Sequence, residues 1–98
     1  MNRIYKALSD PTRRKILELL RQRDLTAGEL ADHFDLARPT LPNHFNLLKE
    51  AGLIQGDKNG TTITYRLIVS VLEDALLALM NTFDIEPGRT VTRQTRLH

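Results

Sequence analysis

Residues 37 to 67, ARPTLPNHFNLLKEAGLIQGDKNGTTITYRL, constrain the fold most, because the spacing of their apolar residues changes once, at Ala51 and Gly52. Before that point Leu41, Phe45 and Leu48 recur at the i, i+4, i+7 spacing of a buried helix face, with Leu47 on the flank. Thr40, Asn43, His44 and Lys49 are left to face outward. After it Ile63, Tyr65 and Leu67 alternate with Thr62, Thr64 and Arg66, which predicts a hairpin starting at Leu53 and Ile54 and turning through Asp57, Lys58, Asn59 and Gly60. Gly52 suits a left-handed helix cap between the two. A short helix with a polar outer face, running into a ribbon with a basic tip, is an arrangement by which small proteins read double-stranded DNA.

Pro39 and Pro42 fall where this helix would begin. A proline beyond the first turn removes a hydrogen bond at a cost of ~3 kcal/mol. The expected solution is a late start, with Thr40 as N-cap, Pro42 inside the first turn and residues 37 to 39 extended. The missing Pro42 N–H also removes a possible phosphate donor at that helix end.

The elements upstream supply a support for it. A short first helix is expected from about Asn2 to Leu8, with Ile4, Tyr5 and Leu8 on one side. Asp10 then reads as an N-cap and Pro11 as the first residue of a second helix, PTRRKILELLRQR, whose buried side is Ile16, Leu17, Leu19 and Leu20. Arg13, Arg14 and Lys15 crowd its first turns, where cations oppose the macrodipole by about a few tenths of a kcal/mol. A solvated basic face and phosphate contact, through Arg13, are both open for this cluster. Thr26 and Glu29 form an S/T-x-x-E capping box, and Leu25 and Leu30 a hydrophobic staple, at the start of a third helix of about two turns, AGELADHF. The brief link Asp35 to Ala37 and the fourth helix complete a helix-turn-helix pattern.

Helical spacing returns over residues 68 to 85, with Val69, Leu72, Leu76, Leu79, Met80 and Phe83 in one stripe widened by Val71, Ala75 and Leu77. The stripe is wider than a surface helix on a small domain requires, and a second subunit packing through its own first helix is the simplest use for it. Pro87 and Gly88 are expected to end this helix, and residues 87–98 to form a disordered basic tail beyond a domain spanning 1–86.

Ninety-eight residues make one domain with a thin core. The formal charge of +2 rules out a polycation that coats nucleic acid indiscriminately, so charge placement must matter. Residues 67 to 86 carry Glu73, Asp74, Asp84 and Glu86 with no Lys or Arg, whereas the last twelve carry Arg89, Arg93 and Arg96 with no acid. The absence of cysteine excludes disulfides, thiolate metal sites and cysteine nucleophiles. No apolar run approaches the ~20 residues of a membrane span, and the N-terminus lacks a signal-peptide core, so a soluble cytoplasmic protein without membrane insertion is expected.

SDPTRRKILELL at 9 to 20, TAGELADHF at 26 to 34, HFNLLKEAGLI at 44 to 54 and TYRL at 64 to 67 together resemble the ArsR-type winged-helix repressors, and within them the cysteine-free SdpR-like autorepressors. The resemblance spans about residues 3 to 85. It implies a mainly α fold with a small β-hairpin, in the order four helices, hairpin, fifth helix, and a homodimer joined through Ile4, Tyr5 and Leu8 of the first helix and Leu72, Leu76, Leu79, Met80 and Phe83 of the last. It further implies a repressor that covers a palindromic promoter site with two recognition helices in successive major grooves. By position, Arg38, Thr40, Asn43 and His44 would approach the bases, with Lys49 beside them, and the wing residues Lys58, Asn59, Thr61 and Thr62 would lie along phosphates or in the minor groove. The resemblance has one departure. Pro39 and Pro42 stand where relatives usually carry Ser or Ala, so relatives' base preferences do not transfer.

Side-chain chemistry is compatible with that placement. Asn pairs bidentately with adenine and Arg with guanine, while Thr, His and backbone N–H groups serve phosphates. Arg38 and Asn43 remain alternative base readers.

Metal release, common in the family, uses cysteines on the third helix, where this chain has Ala27 to Ala31, or a His and carboxylate set on the last helix. Here the last helix holds no His, and its four carboxylates lack nitrogen or sulfur partners, so no metal or other cofactor is expected. His33 and His98 read as solvated. The SdpR-like comparison implies release by a sequestering partner protein; a small-molecule or metal inducer is the alternative. A winged helix used only for protein contacts would carry apolar or acidic residues in place of Thr40, Asn43, His44 and Lys49. An enzyme would need a nucleophile beside a base, a phosphate loop or a metal centre, and none is present.

Overall fold

Helix ends set by local chemistry organise the chain. The computed structural model describes residues 2–35 and 40–86, which form α1 (Asn2–Leu8), α2 (Pro11–Gln22), β1 (Leu25–Thr26), α3 (Ala27–Ala31), α4 (Leu41–Glu50), β2 (Ile54–Asn59), β3 (Thr62–Leu67) and α5 (Val69–Thr82). Arg38, Pro39 and the expected tail at 87–98 lie outside the described residues. The architecture is a mainly helical winged helix with a small antiparallel sheet of order β1-β3-β2.

At α2 the Asp10 carboxylate accepts from the Arg13 backbone N–H at 3.1 Å, and Pro11 occupies a position whose N–H no helix needs. At α3 the full capping box forms: the Glu29 N–H donates to Thr26 Oγ1 at 3.1 Å and the Thr26 N–H to Glu29 Oε1 at 2.8 Å. The regular helix is shorter than expected and stops at Ala31. Beyond it the chain tightens into i to i+3 bonds, from His33 N to Leu30 O and Phe34 N to Ala31 O.

α4 starts where the prolines allow. Leu41 is its first residue and Pro42 its second, with Thr40 in the N-cap position. Thr40 already has helical backbone angles (φ −81°, ψ −23°), and its side chain does not make the capping hydrogen bond. Two paired bonds, Gly52 N to Lys49 O (2.9 Å) and Leu53 N to Leu48 O (3.0 Å), close the far end as a Schellman motif with Gly52 at φ 77°.

The hairpin differs from expectation in two ways. Its strands pair as far as Asn59 opposite Thr62, so the turn is only Gly60 and Thr61 instead of residues 57 to 60. Gly60, at φ 65°, supplies the positive φ that a type II′ turn needs at its first residue. The sheet also has a third strand. Leu25 and Thr26, expected only as staple and cap, pair with Tyr65 and Thr64. Two residues are too few to show an alternation, which is why this strand was not visible in the sequence.

Ile16, Leu20, Leu30, Leu48 and Leu53 form the sealed centre of the core, and Leu41 and Phe45 bring α4 down onto it. The Phe45 and Tyr65 rings meet with centroids 4.7 Å apart and tilted by 34°, which ties α4 to the middle strand. α5 docks by its beginning: Ile68 N donates to Leu53 O at 2.8 Å, Val71 and Leu72 pack on the core, and Ala75 is its one fully buried described residue. It ends at Thr82, before Pro87 and Gly88 are reached. Asp84 takes a left-handed conformation (φ 55°), with Asp84 N bonded to Asn81 O and Ile85 N to Met80 O, a second Schellman motif.

Candidate nucleic-acid interface

The outer side of α4 is polar and open. Thr40, Asn43 and Lys49 are exposed as expected, and the opposite side is sealed by Leu41, Phe45 and Leu48. Asn46, not singled out from the sequence, is also exposed. Its signal was available, since it lies i+3 from Asn43 on the polar side of the same helical pattern. The wing residues Lys58, Asn59, Thr61 and Thr62 are exposed at the end of the hairpin remote from Ile54 and Leu67.

Along the hairpin, Arg66 is held across the strands: its Nη2 donates to Gln55 Oε1 at 2.7 Å, and its Nε lies 3.8 Å from Asp57 Oδ2. This pairing neutralises Arg66 locally and leaves Lys58 as the cation nearest the turn. Both partners are exposed, so the pair is worth about 0–1 kcal/mol.

Arg13 and His44 depart from the sequence expectations. Arg13 is only 8% exposed, so neither a solvated basic face nor a free phosphate ligand describes it. Its Nε donates to Ala7 O and its Nη2 to Lys6 O, both at 2.9 Å, while Nη1 lies 3.1 Å from His44 Nδ1. Arg14 Nη1 donates to Leu8 O at 2.8 Å. Arg13 and Arg14 therefore serve the end of α1, whose last carbonyls have no helical partners and whose dipole favours cations, while Lys15 pairs with Glu18. The His44 side chain, 16% exposed, leans toward the start of α2 and not outward beside Asn43, with Asp10 Oδ2 4.0 Å from its Nδ1. Partial burial raises the Asp10 carboxyl, but the Arg13 N–H, the Arg13 guanidinium, His44 and the Thr12 N–H outweigh it and hold the group below its ordinary value of 3.8.

Residues 10–55, from the cap of α2 to the second residue of β2, match the family described as "Bacterial regulatory protein, arsR family". Over 81 residues the chain is 46% identical to the transcriptional repressor SdpR of Bacillus subtilis (strain 168), covering 83% of this chain and 90% of SdpR. The chain belongs to the ArsR family. It is also 37% identical over 86 residues to an arsenical resistance operon repressor of Staphylococcus xylosus, covering 86% of this chain and 83% of that one. An ArsR-like transcriptional regulator from Rhodococcus sp. RHA1 superposes with a TM-score of 0.77 at 31% identity, over 85% of this chain and 76% of that one. ArsR membership makes the chain a DNA-binding transcriptional regulator and not an enzyme. Among the described residues, no group of three or more His, Asp or Glu is placed to hold a metal ion, and no helix is long and apolar enough to cross a membrane.

Proposed function

We propose that this ArsR-family regulator is a repressor that binds an imperfect palindrome as a homodimer, with half-sites about one helical turn (~10 bp) apart. One observation carries the reading: α4 exposes Asn43, Asn46 and Lys49 along a side left open while its other side is locked into the core, and the wing rises beside it. Asn43 and Asn46 serve as base readers, since a side-chain amide pairs bidentately with adenine. Lys49 and Lys58, with Asn59, Thr61 and Thr62, serve as backbone anchors. The apolar side of α5, with Tyr5 of α1, serves as the subunit interface.

Selection of bound fragments from a random DNA pool tests this. Wild type enriches a two-fold symmetric motif at moderate salt; enrichment of no motif would end the proposal of sequence-specific binding. Asn43→Ala relaxes preference at one base position per half-site, by about 1–3 kcal/mol. Lys58→Ala weakens all sites alike and flattens the salt slope by roughly one unit. Identical behaviour of the two variants would remove the division into readers and anchors.

A further inference from the structure

We infer that Arg13 is a positioning residue for DNA binding, which fixes His44 in the tautomer protonated on Nε2 and so turns it into a hydrogen-bond donor for a backbone phosphate. The inference rests on the DNA-binding reading above and assigns His44 to the phosphates instead of the bases.

In the neutral ring the Arg13 contact leaves one assignment for the nitrogens. A guanidinium only donates, so the 3.1 Å contact between Arg13 Nη1 and His44 Nδ1 makes Nδ1 the acceptor and puts the ring's proton on Nε2. Arg13 cannot easily turn away from this contact. Its Nε and Nη2 are held by Ala7 O and Lys6 O at 2.9 Å, and those two bonds fix the plane of the fork and hence the direction of Nη1. α1, α2 and α4 are thereby joined at one buried guanidinium, and the part of the junction that belongs to α4 is the imidazole. Because that ring leans from α4 toward α2, it sits off the line of Asn43 and Asn46, at the flank where a helix in a groove meets the DNA backbone.

Ring-nitrogen NMR of the full chain, together with a double-variant cycle on a selected operator fragment, tests the inference. In wild type His44 shows an unprotonated Nδ1 and a protonated Nε2. In Arg13→Lys, whose single ammonium cannot reach both carbonyls and the ring at once, the two signals move toward a tautomer mixture. A ring protonated on Nδ1, or one unchanged by Arg13→Lys, would overturn the inference, and the wild-type spectrum gives that answer even if the variant folds poorly. In binding, Arg13→Lys weakens the operator about tenfold when His44 is present and less than about twofold in a His44→Ala background, the coupling expected for residues acting through one contact. His44→Ala weakens unrelated sequences as much as the operator. Additive effects, or a His44→Ala loss confined to one base position, would overturn it. Failure of folded wild type to bind any DNA would instead sink the DNA-binding reading itself, and the inference with it.

Discussion

Asp10 caps α2 and Thr26 with Glu29 boxes α3, because each contact closes within one turn and depends on nothing distant. Thr26→Ala is expected to lower stability by about 1 kcal/mol in urea melts. The box also has a pH signature. The Thr26 N–H holds the Glu29 carboxyl below its ordinary value of 4.5 against slight desolvation, helped by the Thr26 hydroxyl and Arg23. A depressed folded value means stability that is present above 4.5 and lost as pH falls through the lower folded value, and Asp10 behaves alike from 3.8 downward. Glu29→Gln, which accepts the hydrogen bond without the charge, should therefore flatten the acid limb of the stability curve by lowering stability above pH 4.5 while leaving the acid end little changed. A limb that stayed as steep would assign the acid sensitivity elsewhere. Arg13 is the opposite case. Its partners lie six, seven and thirty-one residues away, so the sequence showed only a cation against the α2 dipole and not a plug for the end of α1.

Elements were readable where periodicity ran long enough. α4 gave its core side, its closing glycine and its delayed start, because two prolines and a seven-residue apolar interval are unambiguous over ten residues. β1 was hidden by its two-residue length, and the turn was read two residues too wide because Asp57 and Asn59 are turn formers that in fact pair within β2. The structure adds a reason for Gly56, on which spacing said nothing. A Cβ there would lie 3.0 Å from Tyr65 Cε1 and 3.1 Å from Ile63 Cγ2. Tyr65, whose phenol burial pushes above its ordinary value of 10.0, crosses β2 at this glycine and stacks on Phe45. Gly56→Ala should cost about 1–3 kcal/mol by overpacking and shift the Phe45 ring resonances of α4. Gly60→Ala meets nothing within 4 Å and should cost about 1–2 kcal/mol from its positive φ alone, with Phe45 undisturbed. If both variants moved Phe45 equally, the wing and α4 would be coupled by some route other than the Gly56–Tyr65 contact.

For the whole molecule, the distribution of apolar surface is more telling than its amount. α1 to β3 bury most of their apolar residues in one core, but α5 leaves Leu76 47% and Leu77 51% exposed and its cap residue Phe83 66%, with Tyr5 of α1 also open. The expected interface set divides accordingly. Ile4, Leu8 and Leu72 pack partly on the subunit's own core, and Leu79 and Met80 are half-buried, so Leu76, Phe83 and Tyr5 carry most of the surface left for a partner. Scattered exposed leucines are ordinary, but Leu76, Leu77 and Phe83 fall within about two turns of one helix and its cap, beyond the residues by which it docks most closely. A second copy is the occupant proposed above, and burying a leucine there contributes about 1.5–3 kcal/mol per subunit, whereas a buried unpaired carboxylate costs several. Leu76→Glu should therefore sediment as a folded monomer, with the α4 and wing signals intact because Leu76 lies outside the core on which they rest. It should also lose operator affinity steeply, since one recognition helix alone reads only a half-site. A Leu76→Glu protein that stayed dimeric and bound normally would place the interface elsewhere. A variant that became monomeric yet bound the full operator unchanged would remove the need for two copies.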